Sequence, residues 1–298
     1  MVTSVYLQTR GRPRHRDYDF LGAAPGHPWW RAYAGHTAFE RPTALVESDG
    51  EGYRVYLSGI PSARRDAVGT VIRYTLVLEE SPDGTPAVRP ARVVALVAAW
   101  LADRAPGGTG ELTRVLDQAF PEPEVERLLA AAGPGAPAEV RSGLAAVVGA
   151  LPEPDLGTAA GPGGGWLGDA GSAAARAAFL ERVRALVVDG RPGRALLLNL
   201  VGSAEDLAAL RADPRPLAVL VPDLDAPGLV PLDPAVGGAG GAVGKARPSA
   251  AVPPPRTAPS RTAHPPRRPP SRIRTVLTPL ILGLAAVIAI LVPLLTTR

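Results

Sequence analysis

Apolar and polar positions in the first 80 residues follow a short period. Residues 3–8 (TSVYLQ), Thr43–Ser48, 53–60 (YRVYLSGI) and 71–79 (VIRYTLVLE) are brief runs rich in β-branched and aromatic side chains, and each predicts a strand. In the last of them Ile72, Tyr74, Leu76 and Leu78 share one face. Asp49-Gly50 between the second and third runs is a hairpin turn signal. An antiparallel sheet of three or four strands follows, with a long loop over residues 10–41.

The period then lengthens. Val93, Leu96, Val97, Trp100 and Leu101 form one stripe at helical spacing within residues 91–104. Shorter helices are predicted at Glu111–Ala119, 123–132 and 138–150, separated by Gly and Pro. A Gly-rich loop covers 157–171, after which Ser172 caps a helix over 173–188. Two continuous apolar runs, 194–201 and 216–221, flank a helix at 204–212 that Ser203 caps, and this predicts a small parallel βαβ unit.

Beyond residue 233 the pattern stops. A Gly/Ala-rich and then Pro/Arg-rich stretch, ending in PPPRTAPSRTAHPPRRPPSR, lacks the apolar content to offset the entropy of folding. It predicts a disordered stalk of about 40 residues, able to reach on the order of 100 Å. Residues 276–295 (VLTPLILGLAAVIAILVPLL) carry no charge, and about 20 helical residues span roughly 30 Å of bilayer. Pro279 and Pro293 sit near the ends of the run, where a helix tolerates them.

The expected architecture is an α+β body, a disordered stalk and a single C-terminal transmembrane helix. Its segments are an antiparallel β-rich module (1–88), an Ala-rich helical region (89–156), a helix plus βαβ unit (157–233), the stalk (234–275) and the span (276–295).

Charge changes the reading of the tail. Net charge is +4. All 28 acidic residues lie at or before Asp233, whereas nine of the 32 basic ones follow it, leaving 23 basic residues and a formal charge of −5 on the body. A mildly acidic body argues against nucleic acid as a partner, because phosphate neutralisation needs a clustered positive surface. The basic tail suits anionic headgroups instead, with Arg267, Arg268, Arg272 and Arg274 at the membrane surface. Arginines before the span, and only Arg298 after it, put the N-terminal body in the cytoplasm. The first 20 residues hold no apolar run of the secretory kind. A tail-anchored, single-pass protein of the cytoplasmic membrane is expected.

Cysteine is absent and Lys245 is the single lysine, which excludes disulfides, thiolate zinc sites and a lysine nucleophile in the body. His15, His27 and His36, beside Asp17, Asp19 and Glu40, lack the spacing of a helical metal site. Packing of Trp29, Trp30 and Tyr33 over the sheet accounts better for that stretch. Gly163, Gly165 and Gly168 only approximate a phosphate loop. The best candidate is the inter-strand connection with Arg64, Arg65 and Asp66, together with Arg73 on the next strand, as an anion- or partner-binding rim that Arg10, Arg12, Arg14 and Arg16 would join in space. No catalytic constellation, cofactor or metal is expected. The expected role is a non-enzymatic adaptor or sensor that recruits a cytosolic protein partner to the lipid bilayer. The alternative is a membrane-tethered enzyme or a protein binding a nucleotide or phosphate ligand through the arginine-rich loop.

Overall fold

The computed structural model describes residues 2–12, 17–38, 41–81, 88–104, 108, 110–131, 136–154, 163–201, 205–224 and 228–232. The predicted stalk and span, with Arg267, Arg268, Arg272 and Arg274, lie outside them. Among the described residues no helix is long and apolar enough to cross a membrane.

The β-branched and aromatic runs form the strands β1 (Val2–Thr9), β2 (Asp19–Phe20), β3 (Thr43–Ser48), β4 (Tyr53–Arg65) and β5 (Val71–Ser81). β4 pairs antiparallel with both β3 and β5, and β1 pairs with β5. Helices α1 (Pro90–Ala102), α2 (Glu111–Ala119), α3 (Glu122–Ala130) and α4 (Ala136–Ala150) come next. The α1 stripe is fully inside, as its spacing requires. Asp103 replaces a local cap for α2: its Oδ2 accepts from the amides of Leu112 and Thr113 at 3.0 and 3.3 Å.

The predicted Gly-rich loop contains a strand, β6 (Trp166–Asp169), ahead of α5 (Ala173–Val187). Gly168 explains its low strand propensity: a Cβ there would lie 2.8 Å from Leu229 Cδ2 and 3.1 Å from the Cβ of Ala175 on α5, so the close approach of helix to strand selects glycine. Ser172 caps α5 through Ala175 N at 3.3 Å. The βαβ unit follows as β7 (Gly193–Leu197), a short 3₁₀ turn (Glu205–Leu207) with α6 (Ala208–Arg211), and β8 (Leu217–Val221); β9 (Val230–Pro231) closes the chain of elements. β7 and β6 both run parallel to β8.

The antiparallel strands and the βαβ strands form one mixed sheet, ordered β2-β1-β5-β4-β3-β7-β8-β6-β9, in which β3 and β7 pair antiparallel from Ala44↔Leu197 to Ser48↔Gly193. α1–α5 cover one face and share its core with Leu7, Val55, Leu76, Ala195 and Leu220. On the other face Leu45, Leu196, Val219 and Leu167 pack under Leu207, Leu210, Trp29 and Tyr33. The 3₁₀ helix Trp29–His36, inside the predicted 10–41 loop, supplies the last two.

Candidate functional site

Period-two alternation sets the floor of the site. On the face away from α1–α5, register places Gln8 opposite Thr75, Val77 opposite Tyr56, and Thr43 opposite Ser58. The roof is the 3₁₀ helix Trp29–His36. It is pinned at its near end by Tyr33, whose hydroxyl donates to Glu47, itself only 4% exposed. Arg54 holds the other oxygen of Glu47 bidentately, Nε at 3.0 Å and Nη2 at 2.6 Å, and stacks its guanidinium 4.8 Å from the Trp29 ring. Burial and the neighbouring Glu47 charge push the Tyr33 phenol well above its ordinary value, so it remains a donor. The far end is held by Asn199, just beyond β7. Its Oδ1 accepts from Ala38 N at 2.6 Å and its Nδ2 donates to Pro42 O and Thr43 Oγ1 at 3.1 and 2.9 Å.

Between roof and floor lies a cavity of about 370 Å³. Trp30 stacks on Tyr56, centroids 5.4 Å apart and planes at 18°, and Tyr18 lines the same space. Thr43, Ser58 and Thr75 add hydroxyls, Gln8 an amide, and Arg31 and Arg73 guanidiniums. Among the described residues none of those lining the cavity is acidic. Burial raises the Tyr56 phenol, partly offset by the Ser58 and Thr75 hydroxyls, and the ring stays neutral at physiological pH.

The rim is shaped by a β-bulge. Register in β4 shifts between Leu57 and Ile60, and Gly59 takes φ 70° there. A Cβ at Gly59 would lie 2.7 Å from Pro42 N and Cα, so only glycine fits. The bulge turns two consecutive carbonyls out of the ladder. Ser58 O accepts from Trp100 Nε1 at 3.1 Å and from Arg104 Nη2 at 3.3 Å; Gly59 O accepts from Arg73 Nη1 at 3.4 Å. Arg104 also donates to Trp100 O and lies 3.6 Å from the Trp100 ring centroid. Burial pulls the Arg104 guanidinium down to about 9; the Asp103 charge opposes this and the Arg73 charge adds to it.

The four residues singled out from sequence separate. Arg73 reaches the cavity. Arg64 turns inward: it is 7% exposed, donates to Thr9 Oγ1 at 2.6 Å, Arg10 O at 3.1 Å and Ser62 Oγ at 3.1 Å, and lies 4.9 Å from the Tyr74 ring centroid. Asp117 of α2 completes that knot, accepting from Ser62 Oγ, Ala63 N and Tyr74 Oη at 2.8, 2.8 and 3.0 Å. Burial pushes the Tyr74 phenol up to about 12. Asp66 organises its own turn, accepting from Val68 N and Thr70 N at 2.9 and 2.8 Å, and Arg65 donates to Gly69 O at 2.9 Å. Arg10 joins this loop, 3.6 Å from Asp66, and lies 6.0 Å from the Tyr18 ring at the cavity wall. Arg12 instead pairs with Glu122 of α3 at 3.2 Å, while Arg14 and Arg16 lie outside the described residues.

The other sequence candidates resolve differently. His15 and Glu40 lie outside the described residues, and among those described no cluster of His, Asp or Glu suits a metal ion. Gly165 and Gly168 flank and occupy β6 rather than cradling an anion at α5. A larger cavity of about 660 Å³ beside Asp213 and Arg215 is walled by glycine, alanine and proline. Two of its charges pair with each other: Arg215 grips Asp213 with Nη2 at 2.6 Å, Arg194 lies 3.7 Å from the same carboxylate, and the exposed Arg211 lines the same space. Sequence reasoning placed Trp30 over the sheet but did not single out Tyr56, Thr75 or Gln8 as a site. Their common face was legible from alternation once the register was fixed. The chain matches no protein-family model, no curated protein and no solved structure.

Proposed function

We propose that this protein is a tail-anchored sensor and adaptor: a non-enzymatic cytoplasmic body that reads a ligand in the Trp30–Tyr56 cavity and recruits a cytosolic protein to the membrane. The observation that carries the reading is the chemistry of the cavity lining. Stacked rings, hydroxyls, an amide and guanidiniums bind and orient a ligand, and among the described residues the lining holds no carboxylate, histidine, cysteine or lysine. Anchoring follows from the apolar, uncharged run 276–295 and the arginines before it. A tether raises the local concentration of body and partner, so modest affinity suffices. For the alternative, a phosphate ligand on the arginine-rich loop, Arg64 is committed internally, and Arg73 with the exposed Arg65 supports that reading.

The test uses the full-length chain fused to a proximity-labelling enzyme in intact cells. The chain should stay with membranes in high salt and leave only with detergent. Trp30→Ala combined with Tyr56→Ala should remove the cytosolic proteins labelled by the parent while leaving the membrane fraction unchanged. Release by salt alone would remove the anchor from the proposal. An unchanged labelled set would remove the cavity.

A further inference from the structure

The cavity has an electrostatic signature that narrows its ligand. Arg31 lies exposed at the mouth and Arg73 at the floor, and neither has an ion-pair partner among the described residues. Arg73 uses one donor on Gly59 O, and its Nε is buried with no hydrogen-bond partner. Arg104, behind Ser58, likewise has a buried Nε without a partner. Buried donors left unmade are uncommon in native proteins and call for an explanation. The neighbouring residue in the chain, Asp103, commits its Oδ2 to the α2 amides, while its Oδ1 is buried without a hydrogen-bond partner and its charge favours the Arg104 guanidinium. Two guanidiniums therefore meet neighbouring carbonyls of one bulge, with a third at the rim. Burial lowers the Arg104 pKa most, the Asp103 charge opposes this, and the Arg73 charge adds a smaller lowering.

We propose that the cavity binds a small planar ligand carrying one oxyanion, a phosphate or a carboxylate, with the anion against Arg73 and the ring against the Trp30–Tyr56 stack. This rests on the cavity being the recognition site. Guanidinium presents paired donors that match an oxyanion's lone pairs. The Gln8 amide supplies a further donor on the same floor, beside the Thr75 hydroxyl and a Ser58 hydroxyl that donates to Arg41 O at 3.3 Å. The volume of about 370 Å³ suits a single ring system with its acid group rather than a polymer segment. Arg104 does not touch the ligand in this arrangement. It contributes positive charge through the low-dielectric bulge.

The test is a titration of the full-length chain in detergent, followed by tryptophan fluorescence, with Trp30→Phe identifying the reporting ring. Two matched pairs serve as probes: phenyl phosphate with phenol, and 4-hydroxybenzoate with 4-hydroxybenzamide. At least one anionic member should bind saturably and at least about tenfold more tightly than its neutral partner. Arg73→Gln should abolish that preference. Arg31→Gln, at an exposed position, should weaken the anion by roughly threefold with an unchanged melting temperature, which covers the case in which Arg73→Gln fails to fold. Equal binding of charged and neutral members, or indifference to both substitutions, overturns the oxyanion assignment and leaves the cavity as a recognition site. Silence from all four probes up to about 10 mM overturns the ligand class. The labelling experiment with the Trp30 and Tyr56 variants then judges the cavity separately.

Discussion

On the face turned away from α1–α5, the two halves of one sheet carry opposite chemistry. β7, β8 and β6 present Leu196, Val219 and Leu167, which are buried under Leu207 and Leu210. β1, β5 and β4 present Gln8, Thr75 and Tyr56, over which, among the described residues, the eight-residue 3₁₀ helix Trp29–His36 passes. The backbone is the same kind of ladder throughout, and the parallel half needs apolar residues on both faces because helices pack on both. The antiparallel half is free of that demand on one face. Its polar and half-buried aromatic side chains are therefore available for recognition. The boundary falls at Glu47, where β3 meets β7 and the Tyr33–Glu47–Arg54 cluster fastens the roof.

Stability measurements by denaturant unfolding should separate the halves. Leu196→Ala empties a fully buried position and should cost about 3 kcal/mol. A loss below about 1 kcal/mol would mean that the parallel half is not a rigid core. Gly59→Ala strains the bulge that shapes the cavity rim, where φ is 70° and a Cβ meets Pro42, and should cost about 2 kcal/mol. It should also displace the Arg73 contact at Gly59 O, so a stable Gly59→Ala protein with unaltered ligand binding would break the link between bulge and cavity. Trp30→Ala should behave differently. The ring is half-buried and stacked on Tyr56, so its removal should cost only about 1 kcal/mol while eliminating ligand response. If Trp30→Ala is as destabilising as Leu196→Ala, the roof belongs to the core and the contrast between the halves fails.

Much of this contrast was legible in the chain. The four long antiparallel strands, α1 with its stripe, and the β7–α6–β8 unit follow from periodicity because each buries a regular set of apolar positions. β6 was hidden because its four residues include Gly168, whose role is to admit α5 and not to fill the core. The joining of the two sheets was hidden because strand pairing is a long-range choice: nothing local in TALVES or RALLL names the other as neighbour. The site was half visible. Arg64, Arg65 and Arg73 look alike in sequence, and burial alone distinguishes them. Arg64 lands beneath Thr9 and beside Tyr74, where its donors are consumed, whereas alternation in β5 puts Arg73 on the face opposite Ile72 and Tyr74, within reach of Gly59 O.

The smallest expected effect concerns the end of the parallel half, beside the larger cavity. Hydrogen bonds from Arg215 hold the Asp213 carboxyl at about 2, below the unfolded value of 3.8, with the Arg194 charge contributing. The unfolded chain therefore takes up this proton first as pH falls. Asp213 stabilises the fold fully above the unfolded value, and that contribution is lost as pH drops from near 4 through about 2. Partial exposure of the pair keeps the effect to a fraction of about 1 kcal/mol. Asp213→Asn should lower the melting temperature slightly at pH 7 and flatten this segment of the acid limb, with no change in ligand response, because the pair lies outside the Trp30–Tyr56 cavity. A loss of ligand binding in Asp213→Asn would show that the two halves are coupled through Arg194 and the buried Glu47 cluster, and the open face could then no longer be treated as two independent surfaces.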